Sequence, residues 1–318
     1  MNPVLPSAMK AVAVDQFGGP EVLHVETLPI PQPGEGEILI QVDTAGVGVW
    51  DPEVRAGELD DGSARFPYVL GNDGAGTVVA VGPNVRRFKV GDRAYGYTMA
   101  GGFQAEYVKV HEDEAAKIPP RLDVHEAGAL GADGITALIG LEDQLRLQPG
   151  QTLMIFGASG GIGHIAVQLA KRMGARVLAV ASGPDGVALA RRLGADEVVD
   201  GRHEDVAKTA RTFAPEGLDA ALVLASPKDL PSALKTIKRG GRVAWPNGVE
   251  PVPHPPRGVK GIAYDGLPSA EKFDRLNHWI GDAPFHIELG HVYRLEEIRQ
   301  AHRDVEKHHV GKLAVRLH

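Results

Sequence analysis

The sequence predicts an α/β protein: a β-rich first segment, then a doubly wound parallel sheet with helical crossovers. Two observations carry this. The hydrophobic periodicity changes near Leu122, from short β-branched runs to strands alternating with helical segments. The stretch LMIFGASGGIGHIAVQLAKRMGARVLAVASG, residues 153–183, also sets four glycines within seven residues between an apolar run and a helical pattern. At 318 residues the chain is long enough for two domains.

The first hundred residues read as strands. EILIQVDTAGV (37–47) puts Ile38, Ile40 and Val42 on one face. GTVVAVGPNVRRFKVGDRAYGY (76–97) gives β-branched runs broken by Gly-Pro-Asn and Gly-Asp turns. No long helix is patterned there. Beyond Leu122, TLMIF (152–156) is an apolar strand. The helix after it carries Ile162, Ile165, Ala166, Leu169 and Met173 on one face and ends at Gly174. RVLAVA (176–181), EVVD (197–200), LDAALVLA (218–225), GRVAWP (241–246) and GVKGIAYD (258–265) are the next strands. GVALARRLG (186–194), VAKTARTFA (206–214) and LPSALKTIKRG (230–240) are the helices between them. The tail from Pro284 reads as one helix, LEEIRQAHRDVEKH (295–308), and a last strand, GKLAVRL (311–317).

Charge and composition exclude several classes. Lys plus Arg is 34 and Asp plus Glu is 41, a net charge of −7, which disfavours nucleic acid or an anionic membrane as partner. Cysteine is absent, so there is no disulfide and no thiolate ligand or nucleophile, which suits a reducing cytoplasm. The first residues carry no apolar core of signal-peptide length, and no run approaches bilayer length. A soluble, cytoplasmic protein is expected.

Glycine weakens helices and strands alike, so the cluster needs a reason. Ala158-x-Gly160-x-x-Gly163 is a variant of the dinucleotide fingerprint, in its required strand–turn–helix context. Gly160 lets the backbone approach a pyrophosphate, and Gly163 lets the helix pack on the strand. Ser159, Gly160, Gly161 and Ile162 are the expected pyrophosphate seat at the helix N-terminus. NAD-preferring sites end the second strand with Asp or Glu. Here that position is Ala181-Ser182. Ser182 and Arg202, after the third strand, are therefore expected to face a 2′-phosphate, and the cofactor is read as NADP(H). Asp185 is the nearby acid that weighs against this.

The markers MKAV at Met9, AGVGVWDPEVRAGEL, LGNDGAGTVVAVGPNVRRFKVGDRAYGY, GGFQAEYV, GITAL, the glycine-rich unit and EEIRQAHRDVEKHHVGKLAV run almost end to end. By them the chain resembles the medium-chain dehydrogenase/reductase superfamily, most of all its zinc-independent quinone oxidoreductases. The resemblance implies a GroES-like β-barrel domain built from residues 1–121 and 283–318. A Rossmann NADP(H)-binding domain of residues 122–282 is inserted in it, with the active site between the two. It implies that Thr136, Ala225 and Ser226, and Pro246, Asn247 and Gly248 lie near the nicotinamide. Asp51 matches a recurrent acidic position at the cleft, or caps and orients its own loop. Trp50 beside it reads as core, or as a wall for a flat substrate.

Zinc enzymes of the superfamily carry a Cys where this chain has Gly48, and a His-Glu pair where it has Asn72-Asp73. With no cysteine anywhere, no catalytic metal is expected. The chain also departs from the quinone reductases at Gly48, Glu53 and Gly201, where Asn, Tyr and Tyr or His are usual, which leaves the proton donor unassigned. Hydride addition to a simple ketone builds a localised alkoxide that calls for a Lewis acid or proton donor. A quinone or α,β-unsaturated carbonyl spreads the charge over its own π-system. The expected function is thus an NADPH-dependent, metal-free quinone or enone reductase. The alternative is an NADPH-binding structural or redox-sensing protein with little catalysis. A short-chain dehydrogenase is disfavoured, because none of the six tyrosines has Lys four residues on. A homodimer is expected, with the edge strand GVKGIAYDG (258–266) paired across a two-fold axis.

Overall fold

The strand expected over 37–47 forms over those residues in the computed structural model, which describes residues 5–60, 62, 64–281 and 283–318. In chain order the elements begin with β1 (Ala8–Val14), β2 (His24–Pro29), β3 (Glu37–Val47), α1 (Asp51–Ala56), β4 (Tyr68–Val69) and β5 (Asp73–Val81). Next come β6 (Arg93–Tyr97), β7 (Tyr107–His111), β8 (Ala115–Lys117), α2 (Val124–Ala127) and α3 (Gly131–Leu138). The alternating part follows: β9 (Thr152–Phe156), α4 (Gly161–Arg172), β10 (Arg176–Ala181), α5 (Gly183–Arg192), β11 (Glu197–Asp200), α6 (Val206–Phe213), β12 (Leu218–Val223), α7 (Leu230–Leu234), β13 (Ile237–Pro246) and β14 (Lys260–Tyr264). The chain ends with α8 (Ala270–Ile280), β15 (Leu289–Arg294), α9 (Ile298–Asp304) and β16 (Lys312–Arg316).

Two compact units result. One holds the residues up to Ala132, Pro268–Asn277 and Gly281–His318; the other holds Asp133–Leu267 and His278–Ile280. The first unit takes in both ends of the chain. Its larger sheet runs β15-β16-β3-β5-β6-β8, with β7 also on β3, and its smaller sheet runs β2-β1-β4. Both faces of β3 are covered. Ile38, Ile40 and Val42 join the main core with Phe103, Val315 and Leu317, while Leu39 joins Met9, Ala11 and Tyr107 on the other side.

The second unit is a six-stranded sheet in the order β11-β10-β9-β12-β13-β14, parallel throughout, which is the doubly wound arrangement the alternation predicts. Its core packs Met154, Phe156, Leu178, Val180, Val223 and Trp245.

Four details differ from the sequence pattern. The helix expected over 230–240 stops at Leu234, and β13 begins at Ile237. Ile237 pairs with Leu218, and a register shift before Ala220 absorbs Gly240, whose φ is +84°. Satisfying backbone groups in the ladder wins over the helical spacing. The tail helix is a 3-10 turn at Leu295–Glu297 followed by α9, which ends at Asp304 rather than 308. The helix α8 and the strand β15 are additions. Only Tyr293 of β15 is buried, so its strand pattern is faint, and it forms by parallel pairing with β16.

Candidate functional site

In the second unit, β9 ends at Phe156 and Gly157 takes φ +75°, which turns the chain into the glycine-rich loop. Gly160 is the N-cap of α4 in an extended conformation. The glycines then divide by role. A Cβ on Gly163 would lie 2.0 Å from the Gly157 carbonyl oxygen, so only glycine permits that packing of helix on turn. A Cβ on Gly161 would lie 2.2 Å from Asp133 Oδ2. A Cβ on Gly160 would meet nothing nearer than 3.5 Å. Protein packing does not require glycine there, and the opening stands beside the unpaired N–H groups at the start of α4. An open cradle at a helix N-terminus fits a dinucleotide pyrophosphate.

The residues expected to serve the dinucleotide lie along one edge. Phe156 is level with Val180 and Val223, Ala181 with Asp200, Leu222 with Ala244, and Pro246 with Tyr264. Hence Ser159–Ile162, Ser182, Arg202, Ala225, Ser226, Asn247 and Gly248 all follow the carboxyl ends of parallel strands, and Pro246 closes β13. Ser159 is buried, and its Oγ stands against α5, 2.7 Å from where Gly186 would carry a Cβ. Ile162 is half-buried. Ser182 is the N-cap of α5, yet its hydroxyl makes no cap bond. The Arg202 side chain is exposed. Ala225 stands against Gly157, its Cβ 3.4 Å from a Cβ built there. Asn247 Nδ2 donates to Asp265 Oδ1 at 2.7 Å. Thr136 is buried in α3, and its carbonyl accepts from the Tyr264 hydroxyl at 3.0 Å, which ties α3 to the end of β14.

Sequence reasoning missed two carboxylates at this edge. Asp133 is buried against Gly161. Asp200 ends β11 and accepts from His203 Nδ1 at 2.9 Å, from Arg202 N–H at 3.0 Å and from Gly183 N–H at 3.3 Å. The His203 bond first, then these backbone donors, hold the Asp200 carboxyl down to about 2. Asp200 had a sequence signal, as the acid closing the strand EVVD beside Arg202; Asp133 had none.

In the first unit, Trp50 ends the loop after β3 as the N-cap of α1, and Asp51 is the first residue of that helix. Asp51 is 1 % exposed, and its Oδ2 accepts from the Gly48 N–H at 2.6 Å, bracing the turn that starts α1. The Trp50 indole lies over Gly48, where a Cβ would be 2.5 Å from the ring. Glu53, at the position where Tyr is usual, is half-buried; burial first, then the charge of Glu58, raise its carboxyl above the ordinary range.

The positions that resemble a zinc site hold a different arrangement. Gly48 offers no donor atom, and its side-chain space is filled by Trp50. The Asn72 amide donates to the Thr98 carbonyl at 2.9 Å. Asp73 Oδ2 accepts from Lys312 Nζ at 2.9 Å and from the Ala132 N–H at 3.0 Å. The Lys312 ammonium lies 4.8 Å from the Trp50 ring centroid. These residues do not fit a zinc ion, which needs about three ligand atoms free to converge.

Comparison with known proteins agrees with both halves. Residues 34–120 match the family model of the alcohol dehydrogenase GroES-like domain, and residues 161–247 that of the zinc-binding dehydrogenases. The chain is 31 % identical over 315 residues to a quinone oxidoreductase of Sus scrofa, covering 93 % of this chain and 94 % of that protein. It is 34 % identical over 262 residues to an alcohol dehydrogenase of Geobacillus stearothermophilus, covering 73 % and 76 %. Among solved structures, a quinone oxidoreductase from Coxiella burnetii superposes with a TM-score of 0.82 at 25 % identity, covering 98 % of this chain and all of that one. A mycobacterial protein in complex with NADPH superposes at 0.83 and 27 % identity, covering 97 % and 99 %. The first unit thus carries the GroES-like domain and the second the Rossmann domain.

Proposed function

The chain belongs to the medium-chain dehydrogenase/reductase superfamily as an oxidoreductase related to the quinone oxidoreductases, and from that premise we propose that it is a zinc-independent, NADPH-dependent reductase of quinones or α,β-unsaturated carbonyls. The observation that carries the substrate class is the Lys312–Asp73 pair with Trp50 over Gly48, which leaves no ligand set for a Lewis-acid metal at the positions where zinc relatives bind one.

The dinucleotide is held through backbone groups of Ser159, Gly160, Gly161 and Ile162 at the start of α4. The Ser182 hydroxyl and the Arg202 guanidinium serve the 2′-phosphate, since neither side chain is engaged elsewhere among the described residues. Asp200 beside them keeps its charge balanced on its own donors. Thr136, Ala225, Ser226, Pro246, Asn247 and Gly248 face the nicotinamide end. When bound, NADPH supplies a hydride from C4 of its ring. A conjugated acceptor takes that hydride and spreads the charge to its distant oxygen, so a weak acid or water completes the reduction. Asp51 braces the loop that presents Trp50.

A second copy of the chain covers β14, an edge of the six-stranded sheet with exposed Lys260, Gly261 and Ala263. Light scattering at micromolar concentration then reports a dimer. No helix among the described residues is long and apolar enough to cross a membrane, and the lack of cysteine suits a cytoplasmic site of action. NADPH consumption measured with a panel of quinones and enones tests the activity. Turnover on one of them is expected. Oxidation of a secondary alcohol with no turnover on the panel overturns the reading, as does tight NADPH binding with no turnover at all.

A further inference from the structure

Among the described residues of the first unit, Asp15, His24 and Glu26 bring three ligand-type atoms within 4.8 Å of one another. They come from one hairpin. His24 and Glu26 are two residues apart on β2, so their side chains share a face. Asp15 follows the end of β1, whose Ala13 is level with His24.

The local geometry turns three ligand atoms toward one another. His24 Nδ1 lies 3.2 Å from the Val22 carbonyl oxygen, which can only accept, so Nδ1 carries the proton. In the neutral ring that leaves the lone pair on Nε2. Nε2 faces Glu26 Oε2 at 3.4 Å and Asp15 Oδ2 at 3.6 Å, both acceptors. The other oxygen of Glu26, Oε1, is buried and has no hydrogen-bond partner among the described residues. Three ligand-type atoms thus converge, His24 Nε2 and one oxygen from each carboxylate. A lone-pair nitrogen and two carboxylate oxygens, hard-to-borderline donors on one face of a hairpin, are the ligand types that a divalent cation takes.

The spacing suits a particular cation. In a tetrahedral site with ligand bonds of about 2.0–2.1 Å, neighbouring ligand atoms stand about 3.3–3.4 Å apart. The two separations at His24, 3.4 and 3.6 Å, lie close to that value, and the carboxylate oxygens lie within 4.8 Å of each other. Mixed nitrogen and carboxylate ligands point to zinc or a neighbouring transition ion rather than calcium or magnesium.

We propose that Asp15, His24 and Glu26 form a surface site for a divalent transition metal, zinc by preference, with water as the fourth ligand on the exposed Asp15 side. Bound there, the metal ties the end of β1 to β2 and closes the intervening loop. This site is separate from the residues of the proposed reaction, and its test does not depend on activity.

The experiment titrates zinc chloride into the chelator-treated, untagged full chain by calorimetry, beside His24→Gln, Glu26→Gln and the control His203→Gln. One site per chain is expected in the wild type and the control. Its affinity should fall at least about a hundredfold, about 2.7 kcal/mol, in His24→Gln and Glu26→Gln. Zinc should also raise the thermal midpoint of the wild type and leave that of His24→Gln unmoved. Zinc affinity unchanged by either substitution, or no site in the wild type, overturns the proposal. The second outcome means that the three side chains form a surface hydrogen-bonded cluster only. Glu26→Gln keeps the test decisive if His24→Gln fails to fold.

Discussion

The carboxylate of Asp73 holds the ammonium of Lys312 at 2.9 Å with the two side chains 1 % and 2 % exposed. Gly46 makes room for them: a Cβ there would stand 2.3 Å from Asp73 Oδ1 and 2.7 Å from Lys312 Cε. A buried pair of this kind costs desolvation on both sides, so removing one partner strands a charge. Lys312→Met is expected to lose about 3–5 kcal/mol of stability in urea unfolding. The double variant Asp73→Asn/Lys312→Met should recover most of that loss, because Asn keeps an acceptor for the Ala132 N–H and no charge remains. A single variant as stable as wild type would show that the pair does not hold this region together.

The glycine-rich turn separates packing from binding. Gly163→Ala sets a methyl 2.0 Å from a carbonyl oxygen and should destabilise by about 3 kcal/mol or more. Gly160→Ala has space and should change stability by no more than about 0.5 kcal/mol. Its NADPH affinity should nevertheless fall more than about tenfold, because the methyl fills the proposed pyrophosphate seat. Thermal melts with a fluorescence titration of NADPH distinguish the two. If Gly160→Ala binds NADPH as the wild type does, the seat lies elsewhere.

Cofactor choice is expected to rest on Arg202 against Asp200. Arg202→Ala should weaken NADPH by about tenfold, the worth of one charge-assisted phosphate contact, and leave NADH unchanged. Asp200→Asn should shift preference further toward NADPH by removing a negative charge beside the proposed 2′-phosphate position. Dissociation constants for both nucleotides check this, and equal losses for NADH and NADPH in Arg202→Ala would refute it.

His302 supplies a pH dependence. It is fully buried, its Nδ1 accepts from Arg55 Nη1 at 3.2 Å, and its Nε2 has no partner among the described residues. Burial first, then the Arg55 charge, push its pKa down to about 3. In the unfolded chain it titrates near 6.5. Below that pH the unfolded state takes up a proton that the folded state refuses. Stability should therefore fall as pH drops from about 6.5 toward 3, by up to about 1.4 kcal/mol per pH unit from this group. His302→Gln removes that component, so urea midpoints from pH 7 to pH 4.5 should decline less steeply in the variant. Parallel declines would mean that His302 is already charged in the fold.

What the sequence determined by itself was the local and the periodic. TLMIF is β9 residue for residue, EILIQVDTAGV is β3, and the glycine spacing marks the strand–turn–helix with its cradle at Gly160. Those signals lie within a few neighbouring residues, where propensity and period act. Tertiary structure alone decided the pairings between distant positions. Asp73 with Lys312, Arg55 with His302, and Asp133 against Gly161 bring together residues 239, 247 and 28 positions apart. It also decided that Ile237 extends a strand rather than a helix, and that β15 exists at all. A lone charge in an apolar strand looks the same in sequence whether or not a partner lies opposite. Only the sheet register, fixed by burying both faces of β3, brings such partners into contact.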